Sequence, residues 1–278
     1  MNGQRYKDRM LEIIIKISTM ITLGISVGIL FYILINGLGA LSWEFLTSYP
    51  NEVEHALFPM IVTTVYMVLL SLFISTPIGV FAAIYLVEYA KPGKIVKLIR
   101  FATESLAGIP SIIYGLFGMI FFSSVFGLSF SLVSGAITLS IMVLPTVIRT
   151  TEEALLAVPI GYREGSLALG ASKLRTIVKV VIPSAMLGIL TAVILNIGRI
   201  VGETAAVYLT AGMVPEIPQT IFQSGRTLSV HMYLLAGELI DFDKAYATAT
   251  VLVVIILMIN IVANRIGKLL SKSRKNLS

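Results

Sequence analysis

The sequence predicts an all-α membrane protein with six transmembrane helices and both termini on the cytoplasmic side. Three observations predict it. Hydrophobic residues make up 56% of the chain and charged residues 13%, with a mean hydropathy of +0.92; an ordinary soluble domain carries roughly 25% charged residues. The apolar residues collect into runs long enough to cross a bilayer, which takes about 20 residues of helix. The basic residues segregate: of 21, only Arg199, Arg226 and Lys244 fall outside the segments that six spans place on one side. An odd number of spans destroys that segregation, and Lys and Arg mark the cytoplasmic side.

In order, residues 1–10 are basic, with Arg5, Lys7 and Arg9. The apolar run 11–36 follows. It is too long for a signal-peptide core of roughly 7–15 residues and is read as an uncleaved first span. Residues 37–56 carry Trp43, Glu44, Glu52 and Glu54 but no Lys or Arg, so they form an external loop. The second span is 57–87, with Pro77 and Gly79 inside it. A basic loop, 88–100, holds Lys91, Lys94, Lys97 and Arg100. The third span is 101–126, the fourth 132–148 with Pro145, the fifth 186–212 and the sixth 244–266. Pro77, Pro110 and Pro145 can kink their spans where neighbouring groups satisfy the freed carbonyls. The chain divides into an N-terminal unit, 1–56, a five-helix core, 57–266, with a cytoplasmic loop at 151–185, and a basic cytoplasmic tail, 267–278. No internal repeat or low-complexity tract stands out.

Several chemistries are missing. There is no cysteine, so no disulfide framework or thiol catalysis. His55 and His231 are isolated and have no metal-ligand spacing, so no metal site is expected. Neither H-E-x-x-H nor G-x-S-x-G occurs, which speaks against an intramembrane hydrolase and leaves no catalytic residue to name. The net charge of +6 flanks the spans instead of forming a nucleic-acid face. No G-x-x-x-x-G-K-[ST] phosphate loop is present. If ATP drives this protein, another chain must bind it, and no cofactor of its own is expected.

The 151–185 loop reads helix, break, helix. Pro159 suits a first helical turn, Gly170 suits a left-handed cap, and Ser172 can cap a second helix carrying Lys173, Arg175 and Lys179. Pro183 interrupts that helix or bends it into the next span. A segment this small has no core, so its apolar residues must pack on the span ends or on a partner.

Two further features invite a role. Gly108, Ser111, Gly115 and Gly118 are small residues at helical spacing, which lets membrane helices approach closely, within this chain or against another. Arg199 falls near the middle of the expected fifth span, roughly 13 residues or about 20 Å of helix from either end. A charge at that depth needs a partner or water. Glu203, four residues on, shares its helix face. The two form either a self-neutralising structural pair or the lining of an anion path.

The spacing Glu164, Gly170, Val180, Ile182 and Pro183 resembles the cytoplasmic E-A-A-x3-G-x9-I-x-L-P loop of ATP-binding-cassette importer permeases, with Gly165 and Ser166 where the alanines stand. Three more stretches narrow the resemblance to phosphate-import permeases of the PstA type. They are Gly108-Ile-Pro110-Ser111 with Tyr114-Gly115; Arg149-Thr-Thr-Glu-Glu with Val158-Pro159; and Arg199-Ile-Val-Gly-Glu203 followed by Leu209-Thr-Ala-Gly212. The short N-terminus and first loop favour PstA over PstC. The resemblance implies the type I importer permease fold. It implies a second, PstC-type permease, a PstB-type ATPase dimer and an extracytoplasmic PstS-type phosphate-binding protein as partners. It places ATPase coupling on Glu164, Gly165, Ser166, Leu167, Gly170, Ala171, Arg175 and Pro183. The substrate pathway falls to Arg149, Arg199 and Glu203, and packing or pathway roles to Gly108, Pro110, Ser111, Tyr114 and Gly115. Arg149 can also be read as a membrane-end arginine reaching for the headgroups. Another oxyanion, molybdate or sulfate, and a stand-alone secondary anion transporter remain the alternatives.

Overall fold

The computed structural model describes residues 2–51, 53 and 55–275. Glu52, Glu54 and the last residues of the basic tail, 276–278, lie outside the described residues, as do the side chains of Arg5 and Lys7. Every regular element described is helical. In chain order these are α1 (Asn2–Leu38), α2 (Trp43–Thr47), α3 (Phe58–Ile84), α4 (Lys94–Ala107), α5 (Ser111–Gly118), α6 (Leu132–Leu156), α7 (Ile160–Ala168), α8 (Lys173–Thr176), α9 (Ile182–Gly202), α10 (Ala205–Thr210), α11 (Leu228–Gly237) and α12 (Phe242–Lys275). Short π-helical segments extend α3 through Tyr85–Tyr89, α5 through Met119–Val125 and α8 through Ile177–Val181 into α9. Among the described residues five helices are long and apolar enough to cross a membrane, and the bent α4–α5 pair raises the number to six if counted as one span.

α6 is the central helix. Its apolar window is 67% buried, against 39% or less for the other candidate spans. It packs between α3 and α9, with α4, α5 and α10 against its remaining faces. Polar side chains on α6 bond within the bundle: the Ser140 hydroxyl donates to the Ser71 carbonyl at 2.9 Å, and Ser134 meets Ser123 at 2.8 Å. Such bonds hold membrane helices together where lipid supplies no hydrophobic drive. One core gathers Met60, Met67, Leu139, Met142, Val143, Val207 and Leu228. A second, at the end that carries residues 88–100 and 151–181 (the basic end), gathers Ala83, Ile84, Leu155, Val158, Ile177 and Val181. α1 packs on α12 near its far end, where Tyr32 meets Tyr246 edge to face at 5.8 Å and Gly37 lies against the Tyr246 backbone.

Three expectations change. The third span does not start at residue 101. Residues 94–107 form their own helix, and α5 leaves it at 100°. The break falls at Gly108-Ile-Pro110, because proline lacks an N–H and disfavours helix at the residue before it. The Tyr114 hydroxyl donates to the Leu106 carbonyl at 2.7 Å and supports the corner. The fourth span runs on past 148 to Leu156. The fifth span is not continuous over 186–212: α9 ends at Gly202, Glu203 is extended, and α10 begins at Ala205.

Candidate functional site

The break between α9 and α10 draws four of the expected site residues together. Arg199 lies in the last turn of α9, not at mid-span, and its side chain is exposed. Nη1 donates to the Thr146 hydroxyl of α6 at 3.4 Å. The expected Arg199–Glu203 pair does not form, because the helix that would align the two ends between them. Instead a Glu203 carboxylate oxygen accepts from the Ala206 N–H at 3.2 Å, capping α10, and its backbone carbonyl accepts from the Ser229 hydroxyl at 2.7 Å. Tyr114, on α5, is buried in the core that also holds Ile200 and Val201 of α9. Gly115 explains how α5 comes this near: a Cβ there would stand 2.9 Å from the Ala206 Cα. A Cβ at Gly118 would collide with Thr138 and Thr210. The Gly115 and Gly118 contacts are therefore packing within this chain. Gly108 is exposed at the α4–α5 corner, where a Cβ would meet only the Ser105 carbonyl at an ordinary 3.6 Å; Pro110 precedes α5 and Ser111 opens it.

Arg149 lies three residues after Thr146 on α6, so the two share a face about one turn apart. Its Nε donates to Glu153 at 3.2 Å, and both side chains are largely exposed. Arg149 also borders a cleft of about 230 Å³ with Arg100, Thr103, Glu104, Glu152 and Glu153. Glu152 is not solvated there: it pairs with Arg100 and is 14% exposed. The track Arg199–Thr146–Arg149 thus runs along one side of α6.

The 151–185 segment forms a second unit. α7 and α8 are joined by Leu169–Ser172, with Gly170 at φ +82°, as its position required. The Ser172 hydroxyl accepts from the Arg175 N–H at 3.3 Å, and Ser166 meets Thr176 at 2.9 Å. Pro159 immediately precedes α7, and Pro183 follows the Ile177–Val181 π turn inside the continuous Lys173–Gly202 helix, where that turn absorbs the backbone bond the proline cannot make. Ile160, Tyr162, Leu167, Leu169 and Leu174 are exposed, Leu169 at 91%, while Thr176, Ile177 and Val181 are buried in the second core. Glu164, Gly165 and Arg175 stand on the exposed side, and Ala171 closes the turn by donating its N–H to the Ser166 carbonyl at 3.2 Å.

Arg163 anchors this unit and was missed in the sequence. It donates to Glu88 at 2.9 and 3.0 Å and to the carbonyls of Val158 and Leu155 at 2.8 and 2.9 Å. Lys173 adds a contact over the Tyr89 ring at 4.7 Å. The available signal was Glu88 itself, an acid at the edge of a loop otherwise carrying Lys91, Lys94, Lys97 and Arg100.

A helical bundle with a broken span, beside an exposed helix–turn–helix locked to the span ends, defines a multi-pass membrane permease. The chain belongs to the family described as binding-protein-dependent transport system inner membrane component, which matches residues 75–276. It is 32% identical over 288 residues to the probable ABC transporter permease protein YqgI of Bacillus subtilis, covering 97% of this chain and 98% of that one. It is 36% identical over 250 residues to the phosphate transport system permease protein PstA of Pasteurella multocida, covering 84% and 85%. Among solved structures, a bacterial alginate ABC transporter in complex with its alginate pentasaccharide-bound periplasmic protein shares the fold. The TM-score is 0.71 over 96% of each chain at 14% identity. The MetNI methionine ABC transporter, facing inward, aligns with TM-score 0.62 over 81% of this chain and 99% of that chain at 21% identity.

Proposed function

We propose that this chain is one of two permease subunits of an ATP-driven phosphate importer, and that phosphate passes along the Arg199–Thr146–Arg149 side of α6. The observation that carries the proposal is the Arg199 guanidinium. It sits at a helix break, exposed, held by one long bond to a hydroxyl, and no ion pair holds it among the described residues. Guanidinium donors match phosphate oxygens in a forked geometry, and the PstA relatives are named for phosphate transport. Glu203 keeps the break in place by capping α10, so it positions Arg199's surroundings and does not compete for the guanidinium. In this reading the exposed apolar side chains around Glu164, Gly165, Ser166, Leu167, Gly170, Ala171 and Arg175 dock on an ATPase dimer that binds the ATP. The Arg163–Glu88 clamp and the second core then carry the ATPase movement into α3, α6 and α9. A second permease faces the arginine track, and an extracytoplasmic phosphate-binding protein delivers substrate. The basic end and both termini face the cytoplasm, following the Lys and Arg distribution.

The test is labelled-phosphate uptake by the reconstituted four-component complex. Arg199→Ala is expected to assemble and to lose uptake by on the order of tenfold, the scale of one charged hydrogen bond of about 1.5–3 kcal/mol. Wild-type uptake in the assembled variant rejects the arginine path. Competition by sulfate or molybdate reassigns the substrate, and uptake by this chain without the ATPase makes it a stand-alone carrier.

A further inference from the structure

We propose that α4 is a membrane-surface helix that binds anionic lipid headgroups at the basic end of the protein. At 3.6 residues per turn its side chains divide into three sectors. Val96, Ile99, Thr103 and Leu106 are half-buried and face the bundle, where α4 packs on α6. Ile95, Leu98 and Phe101 form a second sector, 70%, 66% and 67% exposed, and nothing among the described residues covers them. Lys97, Arg100 and Glu104 form the third, polar sector; Lys94, in the first turn, lies over the Leu98–Phe101 edge of the apolar sector, and Lys91 just precedes the helix.

Placement fits the sectors. The 100° turn into α5 lays α4 across the direction of the span that follows. Arg100 pairs with Glu152, and Arg100, Thr103 and Glu104 share a cleft with Ile148, Arg149 and Glu152. α4 therefore sits level with the turns where α6 passes from apolar to charged residues, which is the depth of a bilayer interface. A helix there buries an apolar face among the upper acyl chains and keeps its basic face among the headgroups.

Charge selects the occupant. Among the described residues no ion pair holds Lys94 or Lys97, and Glu88, the nearest preceding acid, is taken by Arg163. A protein partner over Ile95, Leu98 and Phe101 would need carboxylates placed for both lysines. A leaflet supplies acyl chains to the apolar sector and phosphates to the lysines at once, because long basic side chains reach out of the hydrocarbon to the headgroups. Arg100, neutralised by Glu152, is the pin that holds the helix to the protein while the lysines remain free for lipid.

The chain contains no cysteine, so one introduced cysteine carries a fluorophore without background. In the assembled transporter, reconstituted in phosphatidylcholine containing phosphatidylglycerol, a label at Leu98→Cys is expected to be quenched by lipids brominated close to the headgroup. A label at Glu104→Cys is expected to be quenched little. When only the phosphatidylglycerol is brominated, quenching at Leu98 should exceed its bulk fraction. Lys94→Gln and Lys97→Gln should each reduce that enrichment by up to about fivefold, as about 1 kcal/mol per basic residue near an anionic surface converts. Enrichment that is absent, or unchanged by both substitutions, overturns headgroup binding. A Leu98 label that escapes quenching and crosslinks to the second permease assigns the face to protein. None of these readouts depends on which solute is transported, so the lipid contact and the phosphate reading fail separately.

Discussion

Arg163, beneath the 160–181 segment, and Arg199, at the break in α9, differ in what surrounds the guanidinium. Arg163 is 18% exposed, and its donors are taken by the Glu88 carboxylate and two backbone carbonyls on neighbouring turns. Arg199 is exposed and gives one 3.4 Å bond to a threonine hydroxyl. An arginine with its donors satisfied by the protein fixes two elements to each other. An arginine with donors unspent can bind an anion that comes and goes. Arg226, at the opposite end of the bundle, is an intermediate case. It donates to the Met213 carbonyl at 2.7 Å and meets the His231 Nδ1 at 3.3 Å, so a neutral imidazole stands where Arg163 has a carboxylate. Burial lowers the Arg226 pKa from its ordinary value.

Removing the clamp breaks this contrast most strongly. Arg163→Ala leaves the Glu88 carboxylate, 9% exposed, without its partner. Loss of one member of a buried pair costs about 3 kcal/mol or more. Thermal denaturation of the assembled complex should show it, and ATP hydrolysis should lose its dependence on substrate. If Arg163→Ala melts like wild type while Arg199→Ala does not, the two arginines have their roles reversed.

Acid tests the intermediate case. His231 is held down to a pKa of about 4 against 6.5 for an ordinary histidine, first by burial and then by the Arg226 charge; the hydrogen bond to the His55 carbonyl opposes the shift, and the charges of His55 and Lys244 add a little to it. Its Nε2–H donates to the His55 carbonyl at 3.2 Å. Above pH 6.5 both folded and unfolded chains carry it neutral, and nothing is lost. Between 6.5 and about 4 the unfolded chain binds a proton that the folded chain refuses. Stability therefore falls by up to about 1.4 kcal/mol per pH unit across that window. Melting temperature against pH should decline there, and His231→Gln should flatten the decline. An unchanged slope in the variant removes His231 as the cause.

The smallest effect sharpens the Arg199 side. Thr146→Val removes the hydroxyl that accepts from Nη1, and the contribution of such a bond is about 1 kcal/mol at most when long. Stability should barely move, while the apparent affinity for phosphate in uptake assays changes severalfold because the guanidinium loses its rest position. An identical phosphate dependence in Thr146→Val shows that Arg199 is oriented by something other than Thr146.

The helical class, the number of candidate spans and the left-handed Gly170 cap were legible in the sequence, because each depends on local properties. Apolar run length meets the bilayer residue by residue, and only glycine takes φ +82° without strain. Arg199 and Glu203 were also visible as charges in an apolar run, Gly115 as one of a series of small residues, and Tyr114 through the family resemblance. Their arrangement was not. Treating 186–212 as one helix put Arg199 at mid-membrane and paired it with Glu203. The bundle instead ends the helix at Gly202, where Glu203 finds the Ala206 N–H and the Ser229 hydroxyl. Periodicity cannot reveal such a break, since residues on either side are equally apolar and the compensating partners come from another element. The Arg163–Glu88 clamp spans 75 residues of chain, and α4's separate course depends on α6 being there to receive Arg100 at Glu152. Sequence by itself determined which segments are apolar enough to cross a membrane and where the chain can turn. Tertiary structure decided which charges are spent on one another and which remain for a ligand or a lipid, because that depends on distances between helices that no single segment encodes.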